Sequence, residues 1–382
     1  MKILLDFTSR AAGGGVTFLN NFIPNLAKLR TDHLFYLFTP APLSYSLPAN
    51  FTVIPVQARF PYEIWKILWY QITIKNFILK ENIDLFYGST GISPLTLTCP
   101  SILTLQNLWP FLSNEAALPI KILKYLRKKY INKSSQLATL IHFASFSAFQ
   151  EHIRLGLNID QKKAKIIHFG IGNIFFKIHD SLFLEEYLRT INLHNKEFIL
   201  FVGNIFRHKN IIDLIKAYSI MKDKIKGSIP YLVIAGRLME DDYMNELNLL
   251  VEKLLIKDYV IFLGEINYDN LPLIYRSAKL FVFPSVLETF GFPMIEAMAC
   301  QVPLIASDIP IAHELCGEAS LYFPPNDPEK LASLMLNVMQ DNDLRKSLVE
   351  KGVNIAKTFT WEDTALKMLT LFSEAYSKKH AE

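Results

Sequence analysis

The stretch Lys279–Ser307, KLFVFPSVLETFGFPMIEAMACQVPLIAS, constrains the chain most, because it sets two acids and a glycine turn between a buried strand and a helix start. LFVFP is a short continuous apolar run of the kind found in the middle of a parallel sheet, and VPLIAS reads as the next strand. A short crossover helix fits between them. Pro293 suits the first helical position, where its missing N–H would be unsatisfied anyway, and Gly291 lets the preceding loop turn tightly. Free amides on Thr289, Phe290, Gly291 and Phe292, with the positive end of the helix dipole, would then make an anion site outside the carboxyl end of a strand. Phosphate is the expected guest.

Glu288 falls in the loop, and Glu296, eight residues later, in the first turn of the helix, where the dipole would keep it ionised. Ionised carboxylates accept hydrogen bonds from hydroxyls. A ribose diol on one side of a phosphate and a sugar on the other would supply them. Taken alone, Glu296 could equally be a favourable first-turn charge without a ligand. The loop acid, glycine turn and first-turn acid together are harder to explain in that way.

The string ETFGFPMIEAMAC, preceded by FPS and followed by PLIAS, resembles the E-x7-E signature of the GT4 family (group 1) of retaining glycosyltransferases. Gln301 departs from that family, which usually has a glycine there. The resemblance implies the GT-B fold, an α/β architecture of two Rossmann-like doubly wound domains facing across a cleft. It also implies that Glu296 holds the ribose of a nucleotide diphosphate sugar and Glu288 its sugar.

At 382 residues, length alone predicts two domains. The expected division is 1–178 for an acceptor-side domain, with a helix at about 361–382 packing back on it, and 179–360 for a donor-binding domain. A 51% hydrophobic and 20% charged composition suits a globular chain with two cores and some exposed apolar surface. The net charge of +4 is only mildly basic and does not point to nucleic acid. Three cysteines, Cys99, Cys300 and Cys316, have no metal-ligand spacing and read as buried thiols in a reducing compartment. MKILLDFTSR reads as a first strand and not as a secretion signal, and no uncharged apolar run reaches membrane-spanning length. A cytoplasmic location is expected, with peripheral contact at the inner membrane face open.

KILLDF runs into SRAAGGGV and then a helical pattern from Val16 to Leu29. Glycines before a helix let backbone approach an anion, and a flexible connection is the alternative. The family resemblance assigns Gly14 and Gly15 to the donor phosphates. HLFYLFT, FTVIPV, IDLFYGS, SILTLQN, TLIHFAS and KAKIIHFGI continue the first domain as strands alternating with helical segments. His142 and His168, both in apolar strands, read as core histidines. Many family members carry a His-Asp pair where Gln106 and Asn107 stand, so no base is expected there; their amides could contact sugar or acceptor hydroxyls, or Asn107 could simply end the strand. Lys121–Lys133, KILKYLRKKYINK, interleaves lysines with Tyr125, Leu126 and Tyr130, near Trp65, Trp69 and Tyr70 on another helical segment. Anionic lipid and a plain solvated helix face are the two readings.

In the second half, FILFVGN, PYLVIAG, YVIFLGE, LFVFP, PLIAS and SLYFPP read as a second parallel sheet. The string VGN-x-x-x-H-K-N is similar to the family's second donor motif, which assigns Lys209 to the diphosphate. Arg207 is a candidate second cation or a solvent-facing charge, and Asn204 stands where some members have an arginine. Asp341–Asp343 (DND) matches D-x-D, a metal-diphosphate pattern of another glycosyltransferase class, but lies between two helical patterns and reads as a cap or turn; with no other acidic or histidine cluster, neither metal nor cofactor is expected. The expected activity is transfer of a sugar from a nucleotide diphosphate sugar to a hydroxyl of a glycan or lipid-linked acceptor, with retention, in cell-envelope polysaccharide synthesis. A nucleotide-sugar epimerase or hydrolase, or a non-catalytic binding protein, is the alternative.

Overall fold

The computed structural model describes residues 1–8, 14–56, 62–111, 118–178 and 180–381. It forms two compact units, Met1–Gly170 with Thr360–Glu382, and Ile171–Phe359.

The strands of the first unit are β1 (Lys2–Asp6), β2 (Leu34–Thr39), β3 (Phe51–Pro55), β4 (Leu85–Gly88), β5 (Ser101–Leu105), β6 (Leu140–Phe143) and β7 (Ala164–Ile166). They form one sheet, ordered β3-β2-β1-β4-β5-β6-β7, with every pairing parallel. Its helices are α1 (Gly14–Lys28), α2 (Tyr62–Trp69), continued through a π turn at Tyr70–Ile74 into α3 (Lys75–Glu81), α4 (Leu118–Leu137) and α5 (Phe146–Arg154). The chain then forms the second unit and returns in a last helix. β1, β4, β5 and β6 are buried on both faces, which is why they read as unbroken apolar runs.

The second unit holds β8 (Phe198–Val202), β9 (Tyr231–Ala235), β10 (Val260–Gly264), β11 (Leu280–Phe283), β12 (Leu304–Ser307) and β13 (Ser320–Phe323). Their order is β10-β9-β8-β11-β12-β13, again all parallel. Around them run α6 (Ser181–Thr190), α7 (Ile211–Lys224), α8 (Asp241–Lys253), α9 (Leu271–Ser277), α10 (Phe292–Ala299), α11 (Pro310–Cys316), α12 (Pro328–Gln340) and α13 (Asn342–Ala356). In both sheets the strand order reverses once, between β1 and β4 and between β8 and β11. These crevices outside the carboxyl ends are where open α/β sheets bind ligands.

The returning helix α14 (Trp361–Ala381) packs on α1 in the first unit. Trp361 is buried against Phe18 and Phe169 (centroids 5.8 and 5.9 Å), and Phe372 meets Tyr87 at 5.7 Å. Gly170 makes this approach possible, since a Cβ there would lie 2.1 Å from the Trp361 amide nitrogen.

His142 is a satisfied core histidine, hydrogen-bonded to the Thr104 hydroxyl and the Ile167 carbonyl, each at 2.9 Å. His168 differs from its expected core placement: it is half-exposed, because its strand ends at Ile166. Asp341 caps α13, accepting from the amides of Asp343 and Leu344. All three cysteines are buried thiols outside any disulfide.

Candidate active site

β8 ends at Val202, and the chain leaves the sheet through Gly203 and Asn204. The loops after β8 and β9 lie hard against each other. The Gly203 amide donates to the Ala235 carbonyl at 2.9 Å, and Ile205 N to the Arg237 carbonyl at 2.9 Å. A Cβ at Gly236 would stand 1.8 Å from the Gly203 carbonyl oxygen, so only glycine fits. Arg207–Lys209 then form a short 3-10 turn ending at Asn210, whose left-handed backbone (φ 52°) starts α7.

The loop after β11 comes back to the same place. Val286 N donates to the His208 carbonyl at 2.9 Å, tying the two loops across the β8–β11 crevice. Lys209 and Glu288, 79 residues apart, form an ion pair there, each side chain 13% exposed. The ammonium also lies 5.8 Å from the centre of the Phe283 ring. Burial, and then the Lys209 charge, hold the His208 imidazole below its ordinary pKa, which leaves it neutral at pH 7.

Thr289 and Phe290 lead from Glu288 to Gly291, which caps α10 with φ 83°. A Cβ on Gly291 would come 2.6 Å from the Met294 Cε. α10 opens with Phe292 and then Pro293, and Phe290 meets Phe292 edge-on at 5.0 Å. The Met294 amide is taken by the Gly291 carbonyl at 3.1 Å.

Glu296 requires a correction. The first turn of α10 contains no acid; Glu296 is the helix's fifth residue and is 5% exposed. Its carboxylate accepts from the Tyr275 hydroxyl at 3.0 Å, and burial raises its pKa to about 7 against the opposing effect of that bond. Desolvation therefore outweighs the dipole expected to keep it ionised. Tyr275, on α9, is the partner that sequence reasoning missed; it lies 21 residues away with no motif marking it.

Arg207 stands apart from the Lys209–Glu288 pair. Its guanidinium pairs with Glu246 and lies 5.1 Å over the Tyr243 ring, with the side chain 56% exposed. In the first unit Gly14 and Gly15 are the opening residues of α1 itself, a correction to their expected place in the loop before it; Gly13 lies outside the described residues. Gln106 and Asn107 follow β5 directly, half-buried and exposed respectively. The first sheet's own crevice holds a buried cluster that sequence reasoning did not single out. Asp6, ending β1, accepts from Thr8 and the Tyr70 hydroxyl, and Lys66, 1% exposed, reaches Thr90 Oγ1 at 3.3 Å. Among the described residues no cluster of three or more His, Cys, Asp or Glu could hold a metal ion.

Residues 185–354 match the family model described as glycosyl transferases group 1. The matched segment lies within the second unit. The O-antigen chain mannosyltransferase B of Escherichia coli is 31% identical over 185 residues, 48% of this chain and 48% of that protein. The chain thus spans about half the length of that relative. The O-antigen chain mannosyltransferase RfbU of Salmonella typhimurium is 27% identical over 278 residues, covering 72% of this chain and 71% of that one. Among solved structures, sucrose-phosphate synthase from Thermosynechococcus elongatus superposes with a TM-score of 0.79 at 20% identity, over 99% of this chain and 100% of that one. Anabaena HepE in complex with UDP and glucose gives 0.74 at 18% identity, over 98% and 100%. These likenesses show the fold, GT-B with two Rossmann-like units.

Proposed function

We propose that the chain is a glycosyltransferase that moves a sugar from a nucleotide diphosphate sugar to a glycan or lipid-linked acceptor hydroxyl in cell-envelope polysaccharide synthesis. The observation that carries this reading is the Lys209–Glu288 pair at the β8–β11 crevice, one glycine turn away from the start of α10. A half-buried ammonium at a crevice suits a diphosphate, and a neighbouring carboxylate suits sugar hydroxyls. The relatives named as mannosyltransferases support mannose as the donor sugar.

In this reading the donor diphosphate takes Lys209 from Glu288, and Glu288 turns to the sugar. The bond from the anomeric carbon to the phosphate oxygen breaks, and a bond to the acceptor oxygen forms on the same face. The acceptor proton passes to the departing phosphate, whose growing charge Lys209 stabilises. Retention follows from that same-face geometry, and mass-spectrometric detection of a covalent glycosyl enzyme would overturn the front-side mechanism while leaving retention in place. Glu296, buried and held by Tyr275, reaches the ribose only if donor binding opens it. The reading places the enzyme in the cytoplasm at the inner membrane face and requires no metal, so turnover should persist in EDTA.

The deciding experiment screens the purified chain against UDP-, GDP-, ADP- and dTDP-sugars, mannose donors included, with Lys209→Ala in parallel. Selective binding of one nucleotide, weakened in the variant, supports the reading. Donor consumption without any acceptor would favour a hydrolase or epimerase, and no binding by a folded chain would remove the donor site.

A further inference from the structure

We infer that the first unit carries a docking surface for an anionic lipid bilayer, built from the solvent faces of α4 and of the α2–α3 run. This extends the membrane contact of the proposed function to named residues and rests on observations independent of the donor site.

Helix α4 has six cations (Lys121, Lys124, Arg127, Lys128, Lys129 and Lys133) and no acid in its 20 residues. They do not all face water. Lys124 is buried, and the Lys128 ammonium is committed to the Leu155 carbonyl at 2.7 Å. Lys121, Lys129 and Lys133 are exposed, and none has an ion-pair partner among the described residues. Between them, on the same face, the helix exposes Ile122 (52%), Tyr125 (64%) and Leu126 (52%). A helix that only meets water would carry polar side chains there.

The neighbouring run repeats the pattern. Leu68 (54%), Ile72 (57%) and Leu79 (48%) are exposed at helical spacing, with Lys80 beside the last. Trp69 and Tyr70, the aromatic residues singled out in the sequence, are instead buried, and the side chain of Trp65 lies outside the described residues. Gln71 hydrogen-bonds the Tyr130 hydroxyl, which itself donates to the Ser93 carbonyl, so the two helical stretches meet along one seam. Both cross from one parallel strand to another in the same direction along the sheet, β3 to β4 and β5 to β6. Right-handed crossovers therefore place them on one face of the sheet, running parallel, with both exposed stripes directed away from it. The only acid with a described side chain on the second run is Glu81, at its end, which meets Tyr36 and Lys80.

Exposed aliphatic and aromatic side chains flanked by Lys121, Lys129 and Lys133, which have no ion-pair partner among the described residues, match the interface of an anionic bilayer, with apolar side chains at the acyl boundary and ammonium groups at the headgroups. A second protein copy would need acids to answer these lysines, and none is exposed on this face among the described residues of the two stretches. The bilayer is thus the occupant favoured by charge.

The test is flotation of the full chain with phosphatidylcholine vesicles, with and without phosphatidylglycerol. Binding should require the anionic lipid and weaken with salt. Lys129→Glu with Lys133→Glu should lower partition roughly tenfold or more, and Tyr125→Ser with Leu126→Ser should lower it comparably, while nucleotide-sugar binding stays unchanged in both. Equal binding to neutral vesicles, no binding by the folded chain, unaltered variants, or a dimer in free solution that these substitutions dissolve would each overturn the inference. Vesicle binding by a chain that binds no donor would defeat the functional reading and leave this one standing.

Discussion

Lys209 and Glu288 satisfy each other in the absence of donor, so each can be tested through what its loss frees. Lys209→Ala should lower kcat/KM by about a hundred- to a thousandfold, the size seen when one preorganised charge donor is removed. Glu288→Gln removes the competitor for the ammonium and should tighten binding of free nucleoside diphosphate by roughly threefold or more, while slowing sugar transfer; calorimetry with UDP and GDP separates the two effects. Glu296 makes a different prediction, about pH. Its ordinary carboxyl pKa of 4.5 applies unfolded and about 7 folded, so the native state holds the extra proton between those values. The stability it contributes is complete below 4.5 and is lost as pH rises through 7. Glu296→Gln should therefore flatten the pH dependence and be more stable than the parent at pH 8 by about 1–3 kcal/mol in urea titrations. A parent profile with no such slope would contradict it. The acid spacing was legible in the sequence, but the protonation state was not, because it depends on burial and on Tyr275 from another element.

At the scale of elements, the parallel strands were readable because strands covered on both faces give continuous apolar runs bounded by glycine, proline or polar residues. β1, β8 and β11 all lie within the runs KILLDF, FILFVGN and LFVFP. Helix starts were less readable. Gly14 and Gly15 entered α1 because Gly-Gly does not mark which side of a boundary it occupies, whereas Gly291 could be placed outside α10 by the proline two residues on. The loops themselves are held by close backbone approach. Gly236→Ala would drive a Cβ into the Gly203 carbonyl, a backbone atom that cannot turn aside, and should cost roughly 3 kcal/mol or more in the second unit. Gln301, after α10, has left-handed backbone with φ 64°, which accounts for the glycine expected there. Gln301→Gly should raise the free energy of unfolding slightly, by up to about 1 kcal/mol in urea titrations, since the relief of left-handed strain exceeds the added chain entropy.

At the scale of the molecule, the first unit is discontinuous in sequence. Residues 2–170 provide its sheet, and α14 covers Phe18, Phe169 and Tyr87 with Trp361 and Phe372. Phe372 is fully buried, so Phe372→Ala should cost about 3–5 kcal/mol. Calorimetry should show that loss in the first unit alone. Amphipathic spacing made α14 visible in the sequence; that it returns to the first domain was implied only by resemblance, since nothing local encodes a contact between Phe18 and Trp361. The same discontinuity sets an order in time. On the ribosome, residues 171–359 emerge before the segment that completes the unit begun at residue 2, so the later-translated unit can close first. The earlier one must wait with an aromatic face uncovered, which makes its nascent form the point at which a chaperone would find this chain.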